Sequence, residues 1–337
     1  MTSGTVLDPA VTEGFLGDVD RHMFELVNAR DGEVAAAAAR PIAAGGKRLR
    51  PLLVRAARPL ALDSDRDAAM AFDTCSIRAA AAVELIHTAS LVHDDLLDGA
   101  SLRRGEPTVG ALDGRDVAIA AGDLLFSLAF DTLVQCRSVI DDAVVRRAAR
   151  VLARASRSLA EGEALQARQL RDPHLAESAY VDRCELKTGV LFEAALQLGA
   201  ILGGAELDDV DTLGRFGRTV GLAFQVADDI LDCGAPDVEA VLGKRPGADL
   251  RDGTITLPML RAVQDDTSLA GALAEPVPDD QVEPLLARIR ATGALDSARG
   301  YAHMLRADAD ALLESLGDRF DTASLRRVSA ASVDRIS

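Results

Sequence analysis

The stretch "AAAAVELIHTASLVHDDLLD", residues 79–98, decides the fold class. It is long, rich in Ala and Leu, and its apolar positions recur at helical steps, so it predicts a helix and not a strand. Its last turn is acidic all the same. Asp94, Asp95 and Asp98 sit at the end where the helix dipole is negative and carboxylates are disfavoured. Residues four apart on a helix share a face, so Asp94 lies one turn below Asp98 and both can reach a common ion.

The pattern recurs in "VGLAFQVADDILD", residues 220–232, which ends on Asp228, Asp229 and Asp232 with the same spacing. Like charges at this spacing repel unless a cation neutralises them. Magnesium, a hard ion that prefers carboxylate, water and phosphate oxygens, is the natural neutraliser. Not every acidic cluster reads this way. Asp279, Asp280 and Glu283 repeat the spacing but follow Pro276 and Pro278, the signature of a helix start that complements its dipole. In the first motif helix His87, Ser90 and Leu91 precede the aspartates on the same side, and in the second Gly221 and Gln225 do so. Two such helices facing each other would enclose a deep cavity with metal at its rim.

The rest of the chain agrees with an all-α fold. Aromatic residues make up only 3% of the 337, Trp is absent, and Ala, Leu, Asp and Arg dominate. Helical periodicity predicts helices over 11–40, 49–61, 68–98, 116–135, 139–168, 177–202, 208–232, 236–242, 255–265, 279–291, 295–315 and 322–334. Short Gly, Pro and Asp clusters separate them and no long linker intervenes, so a single domain over 1–337 is expected. A formal charge of −16 argues against an extended surface for nucleic acid or anionic lipid. No run approaches the roughly 18 consecutive apolar residues of a membrane span, so bilayer contact would be at most peripheral. The start, "MTSGTVLDPAVTEG", lacks the features of a signal peptide. Cys75, Cys136, Cys184 and Cys233 are far apart, which suits buried reduced thiols in a cytoplasmic protein.

Cations stand beside the acidic motifs. Arg103 and Arg104 follow the first. "GGKRLRP" puts Lys47, Arg48 and Arg50 behind a glycine pair, where a backbone can approach phosphate closely. "ELKTGVLFEAA" places Lys187 and Thr188 inside an apolar helix, where a lysine without an anion is costly. "GKRPGADLRDGTITLP" carries Lys244 and Arg245 on a loop after the second motif. His87 lies on the motif face and His93 next to Asp94, whereas His22, His174 and His303 read as structural. No Ser-His-Asp set, dinucleotide-binding glycine motif or P-loop is present. Carboxylate helices with these cations imply diphosphate chemistry.

In order along residues 40 to 260, the segments GGKRLRP, ELIHTASLVHDDLLD, LRRGEPTVG, AGDLLF, EGEALQ, ELKTGVLFEAA, FQVADDILD and GKRPGADLRDGTITLP resemble the trans-isoprenyl diphosphate synthases, the polyprenyl synthetase family. The resemblance implies a single helical bundle around a central cavity, usually homodimeric. By it, Asp94 and Asp98 would hold two magnesium ions and Asp228 a third, with Asp95, Asp229 and Asp232 supporting through water. Arg103, Lys187, Thr188, Gln225 and Lys244 look like contacts to an allylic diphosphate. Lys47, Arg50, His87 and Arg104 look like the pocket for isopentenyl diphosphate. The reaction implied is ionisation of the allylic diphosphate, condensation and proton loss. In the family, residues below the first motif form the cavity floor. Here Ala89 and Ser90 are small, and Ile86 and Ala82 continue downward, so a product of geranylgeranyl length or longer is expected, as in medium- and long-chain synthases, unless Phe126 and Phe130 set a floor from another helix. The chain departs from the family at Thr254, where Lys is common, and residues from about 266 onward read as terminal helices completing the bundle. A one-substrate class I terpene cyclase would lack the second motif and the GGKRLRP loop. A non-catalytic subunit would have lost aspartates. A shorter, farnesyl-type product is the remaining alternative.

Overall fold

The computed structural model describes residues 9–234 and 246–336, and these are almost wholly helical. In chain order the first helices are α1 (Pro9–Asn28), α2 (Glu33–Ala43), α3 (Leu49–Ala56), α4 (Arg66–Leu97), α5 (Val109–Asp113) and α6 (Arg115–Val134). They are followed by α7 (Asp142–Gln169), α8 (Glu177–Cys184), α9 (Val190–Leu202), α10 (Leu207–Asp232) and α11 (Ala248–Asp252). The last are α12 (Leu257–Asp265), α13 (Leu269–Leu273), α14 (Asp279–Ala291), α15 (Ala294–Leu312) and α16 (Thr322–Val333). An antiparallel hairpin of β1 (Leu102–Arg103) and β2 (Glu106–Pro107) is the only sheet among the described residues.

Periodicity misses local breaks. The helix expected over 11–40 is two, because Gly32 takes φ 108°, a value that suits glycine. The helix expected over 177–202 is interrupted by a π-helical turn, Glu185–Gly189. The hairpin and α5 were not anticipated, and the helix expected over 236–242 lies outside the described residues.

The chain divides into two compact units. The first comprises residues up to Ser156, Leu191–Gly217 and Leu312–Val328. Its core is built on α4, whose Ala79, Ala80, Ala81 and Ala82 are fully buried and let α6 and α3 approach closely. Gly122 of α6 serves the same end, since a Cβ there would stand 2.2 Å from His93 Nε2. Asp65 caps α4 by accepting from the Ala68 amide at 3.0 Å. Gly99, at φ 64°, ends it, and the Ala100 amide turns back to the Asp95 carbonyl at 2.9 Å.

The second unit comprises Arg157–Val190, Arg218–Ala311 and the chain from Ser329 onward. Its core gathers Tyr180, Val226, Ile230, Leu257, Met259, Leu286 and Ile289, closed at the C-terminal end by Val333 and Ile336. All four cysteines are buried free thiols.

By length and composition two helical segments, Arg66–Leu97 and Arg115–Ser138, are apolar enough to cross a membrane, which the lack of an uninterrupted apolar run did not suggest. In the first, 72% of the apolar window is buried in protein, against 44% in the second.

Candidate active site

In the first unit the site grows from the end of α4. The last turn leaves Asp94 half-buried and Asp98 exposed, while Asp95 turns inward and is buried. The hairpin supplies its partner. Arg104 and Gly105, at φ 55° and 82°, form the tight two-residue turn that right-twisted strands favour. Arg103 then donates from Nε to Asp95 Oδ1 at 2.7 Å. Burial raises the Asp95 pKa, and the Arg103 charge and hydrogen bond oppose that shift.

The loop after α2 supports the hairpin from below. Arg48, at φ 47°, turns inward and donates to Glu84 at 2.9 Å, to Asp20 at 2.8 Å and to the Ile42 carbonyl at 2.9 Å. Arg48 is therefore the anchor of the GGKRLRP loop. Gly46 is open so that the Arg104 guanidinium can lie on it; a Cβ there would meet Arg104 Nη1 at 3.0 Å.

These elements surround a cavity of about 350 Å³ lined by Gly45, His87, Asp95, Arg103, Arg104 and Thr108, among others. Arg104 faces this cavity, where burial lowers its pKa and the Glu84 charge opposes that shift. Desolvation, followed by the charges of Arg50, Arg104, Arg103 and Arg48, holds the His87 pKa well below its ordinary value. The imidazole is neutral at physiological pH and is a hydrogen-bonding group rather than a cation. Lys47 and Arg50, expected in this pocket, do not line it. Lys47 is exposed on the loop, and the start of α3 directs Arg50 over the Phe192 ring, 5.2 Å from its centroid.

Of the expected chain-length residues, Ala82, Ile86 and Ala89 are fully buried in α4. Ser90 is half-buried and donates to the His87 carbonyl at 2.9 Å. Phe126 and Phe130 are half-buried on α6, and Phe126 is tilted against His93 with ring centroids 6.0 Å apart.

In the second unit the π turn sets the geometry. One extra residue in the turn shifts the register of Lys187 and Thr188, a device that often marks functional sites. Gly162 allows α7 to press on this turn, since a Cβ there would lie 3.0 Å from the Lys187 amide nitrogen. Lys187 pairs with Glu163 at 2.5 Å and donates to Gln166 at 3.2 Å. Thr188 donates to Gln225 Oε1 at 2.7 Å, and Gln225 donates onward to Asp229 Oδ1 at 2.8 Å. Tyr180 donates to the other Asp229 oxygen at 2.6 Å.

Burial pushes Asp229 up to about 6, against the opposing pull of its Tyr180 and Gln225 hydrogen bonds. Asp232 is buried too and accepts from the Ala248 and Asp249 amides at 3.3 and 2.9 Å, fixing the start of α11. Asp228 alone of this motif is half-open, 39% exposed, and its Oδ1 accepts from Arg335. Lys244 and Arg245 lie outside the described residues.

Sequence reasoning missed Arg335, Tyr180, Glu163 and Gln166. Glu163 and Gln166 belong to the EGEALQ segment, so a signal for them was present. Arg335 and Tyr180 lie outside every motif quoted.

Among the described residues no three His, Cys, Asp or Glu side chains converge to hold a metal by themselves. The donor set nevertheless fits magnesium, which is usually held by one or two carboxylates completed by water and phosphate oxygens. Asp94 with Asp98, and Asp228, offer that hard-oxygen chemistry.

Comparison with known proteins identifies the family. The family model described as polyprenyl synthetase matches residues 32–284. An octaprenyl diphosphate synthase of Escherichia coli is 34% identical over 82% of each chain. A geranylgeranyl diphosphate synthase of Methanosarcina mazei is 38% identical over 67% of this chain and 66% of its own. The crystal structure of a polyprenyl synthase from Caulobacter crescentus, complexed with calcium and isoprenyl diphosphate, superposes with a TM-score of 0.82 at 34% identity and 97% coverage of each chain. A match over most of the chain, at this identity and with the same fold, makes the protein a member of the polyprenyl synthetase family and a prenyltransferase.

Proposed function

We propose that the protein condenses isopentenyl diphosphate with an allylic diphosphate to give a longer all-trans polyprenyl diphosphate, in a magnesium-dependent reaction. The observation that carries the reading is the Arg103–Arg104 hairpin seated beside the acidic end of α4. It brings anion-binding guanidinium groups to carboxylates suited to a hard cation. The Caulobacter relative, whose crystals hold calcium and isoprenyl diphosphate, supports the same pairing of ligands.

In this reading Asp94, Asp98 and Asp228 hold about three magnesium ions, as the family resemblance implies. Bound there, magnesium supplies Lewis-acid withdrawal of charge from the departing diphosphate. Arg103, Lys187 and Thr188, with Gln225 behind the threonine, orient the allylic diphosphate. Lys244 joins them by resemblance alone. The C1–O bond of the primer breaks and its electron pair leaves with the diphosphate. The double bond of isopentenyl diphosphate attacks C1, and the proton lost in forming the new double bond passes to the diphosphate oxygen. No side-chain base is required.

Arg104 and the neutral His87 face the cavity that suits isopentenyl diphosphate, with Lys47 and Arg50 acting at its margin. Asp95, Asp229 and Asp232 act by holding their neighbours. Apolar α4 walls keep water from the cation. Ala89 and Ser90 are small residues below the first motif, and that size is the ground for a product of geranylgeranyl length or longer. A homodimer in the cytoplasm completes the proposal. The exposed Ile119 and Val134 with half-buried Phe126 and Phe130 give α6 an apolar face suited to a second copy, and four reduced thiols suit that compartment.

The test is to incubate purified protein with magnesium, isopentenyl diphosphate and primers of increasing length, and to size the products. Elongation of geranyl, farnesyl or geranylgeranyl diphosphate is expected. Cyclised hydrocarbon from a primer alone would point to a terpene cyclase. No turnover without an added partner chain would point to a subunit of a heteromeric synthase.

A further inference from the structure

The last turn of the chain places a fixed cation on the second motif. Arg335 donates from Nη1 to Asp228 Oδ1, from Nη2 to the Phe224 carbonyl at 2.6 Å, and from Nε to the Ser332 carbonyl at 3.3 Å. Its guanidinium carbon lies 4.1 Å from the centroid of the Phe224 ring, a cation–π contact. The arginine side chain is 11% exposed, so the cation is the buried partner and Asp228 the open one.

The segment that carries Arg335 is itself held down. Arg299 donates to the Ile336 carbonyl at 3.1 Å, and Arg306 to Asp334 at 3.1 Å. Val333 and Ile336 on either side are in the core. A guanidinium with every nitrogen engaged and an aromatic ring beneath it has little reason to leave when another cation arrives.

We infer that Arg335 is a positioning residue that acts through Asp228, making metal loading at the second motif depend on the presence of diphosphate. The inference rests on the reading of Asp228 as a metal ligand. A divalent ion that binds Asp228 alone must share the carboxylate with a fixed positive charge, and cations that close in a partly buried site repel strongly. Diphosphate reverses the sign, because metal and guanidinium are then both attracted to the same polyanion. The arginine therefore disfavours the metal-only state and favours the metal–diphosphate state, a coupling between two ligands of one site. Its consequence for turnover is that the ion at Asp228 arrives with the diphosphate and departs with it.

The experiment is Mn²⁺ binding followed by electron paramagnetic resonance, without turnover. It uses the full chain carrying Asp94→Ala and Asp98→Ala so that only the second motif reports. Titrations are run with and without inorganic pyrophosphate, below the melting transition of each variant. Arg335→Gln is expected to tighten Mn²⁺ binding several-fold in the absence of pyrophosphate and to shrink the enhancement that pyrophosphate gives. Arg335→Lys, which keeps the charge, is expected to stay near the parent in both. Unchanged or weaker Mn²⁺ binding by Arg335→Gln without pyrophosphate overturns the inference. Asp228→Ala in the same background separates the two ideas. If it leaves Mn²⁺ binding intact, the assignment of Asp228 as a ligand has failed; if it abolishes binding while Arg335→Gln does not tighten it, only the role of Arg335 has failed.

Discussion

At the first aspartate motif one buried carboxylate, Asp95, is answered by a guanidinium from a hairpin, and Asp94 and Asp98 stay toward the solvent side. At the second, two carboxylates are buried. Asp229 is answered by Tyr180 and Gln225, Asp232 by two backbone amides, and only Asp228, which accepts from Arg335, keeps a solvent-exposed side. The spelling of the two motifs is nearly the same, so the difference comes from what each helix end meets. After α4 the chain turns at Gly99 into the hairpin that carries Arg103. After α10 it returns through Gly247, whose φ of 84° lets α11 start against Asp232. The same spacing thus yields two outward carboxylates in one place and one in the other. On the proposed reading, two ions would go with the first motif and one with the second.

The largest effects should come from the outward carboxylates. Asp94→Ala and Asp228→Ala are each expected to lower kcat on the order of 10³-fold or more, as loss of a group that stabilises transition-state charge does. The melting temperature should stay near wild type for Asp94→Ala and fall for Asp228→Ala, which leaves the Arg335 guanidinium without its carboxylate. Steady-state turnover with calorimetry checks this. Comparable loss from Asp95→Asn but not from Asp94→Ala would invert the assignment at the first motif.

Next in size is Lys187, the cation of the π turn. Lys187→Ala is expected to reduce kcat/KM for the allylic substrate about 10²-fold and to leave the KM for isopentenyl diphosphate nearly unchanged. Initial rates with each substrate varied in turn separate the two.

Smaller changes test the buried side of the comparison. Tyr180→Phe removes a hydrogen bond to a buried carboxylate, and urea denaturation should show a loss of about 1–3 kcal/mol. Ala89→Phe fills space in the α4 wall and should shorten the product, read by chromatography, at a stability cost of about 1–3 kcal/mol from overpacking.

The smallest effect concerns His87. The folded protein keeps this imidazole neutral, whereas the unfolded chain protonates it near its ordinary 6.5. As pH falls below that value the unfolded state takes up a proton that the native state refuses, so stability is lost on acidification. His87→Gln should remove at most about 1.4 kcal/mol of that loss per pH unit below 6.5, measured by denaturation at pH 7.5 and 5.5.

Much of this was legible in the sequence because it rests on period and spacing. The long apolar helices and the acidic ends of α4 and α10 follow from helical geometry, and Arg103 beside the first of them follows from its place directly after the motif. What escaped depended on backbone detail or on distant chain segments. The π turn at Glu185–Gly189 leaves the hydrophobic pattern of 177–202 intact, so periodicity passes over it. The inward turn of Arg48 requires a left-handed backbone that a non-glycine residue seldom adopts, and nothing in "GGKRLRP" singles it out from Lys47 or Arg50. Arg335 meets Asp228 across 107 residues of sequence, and no local rule connects them.

The most direct measurement is incorporation of labelled isopentenyl diphosphate into longer diphosphates, with magnesium present or removed by a chelator. Elongation and release of pyrophosphate only when magnesium, primer and isopentenyl diphosphate are all supplied is the result expected. Elongation that persists in chelator, or equal release of pyrophosphate from primer alone, would contradict it.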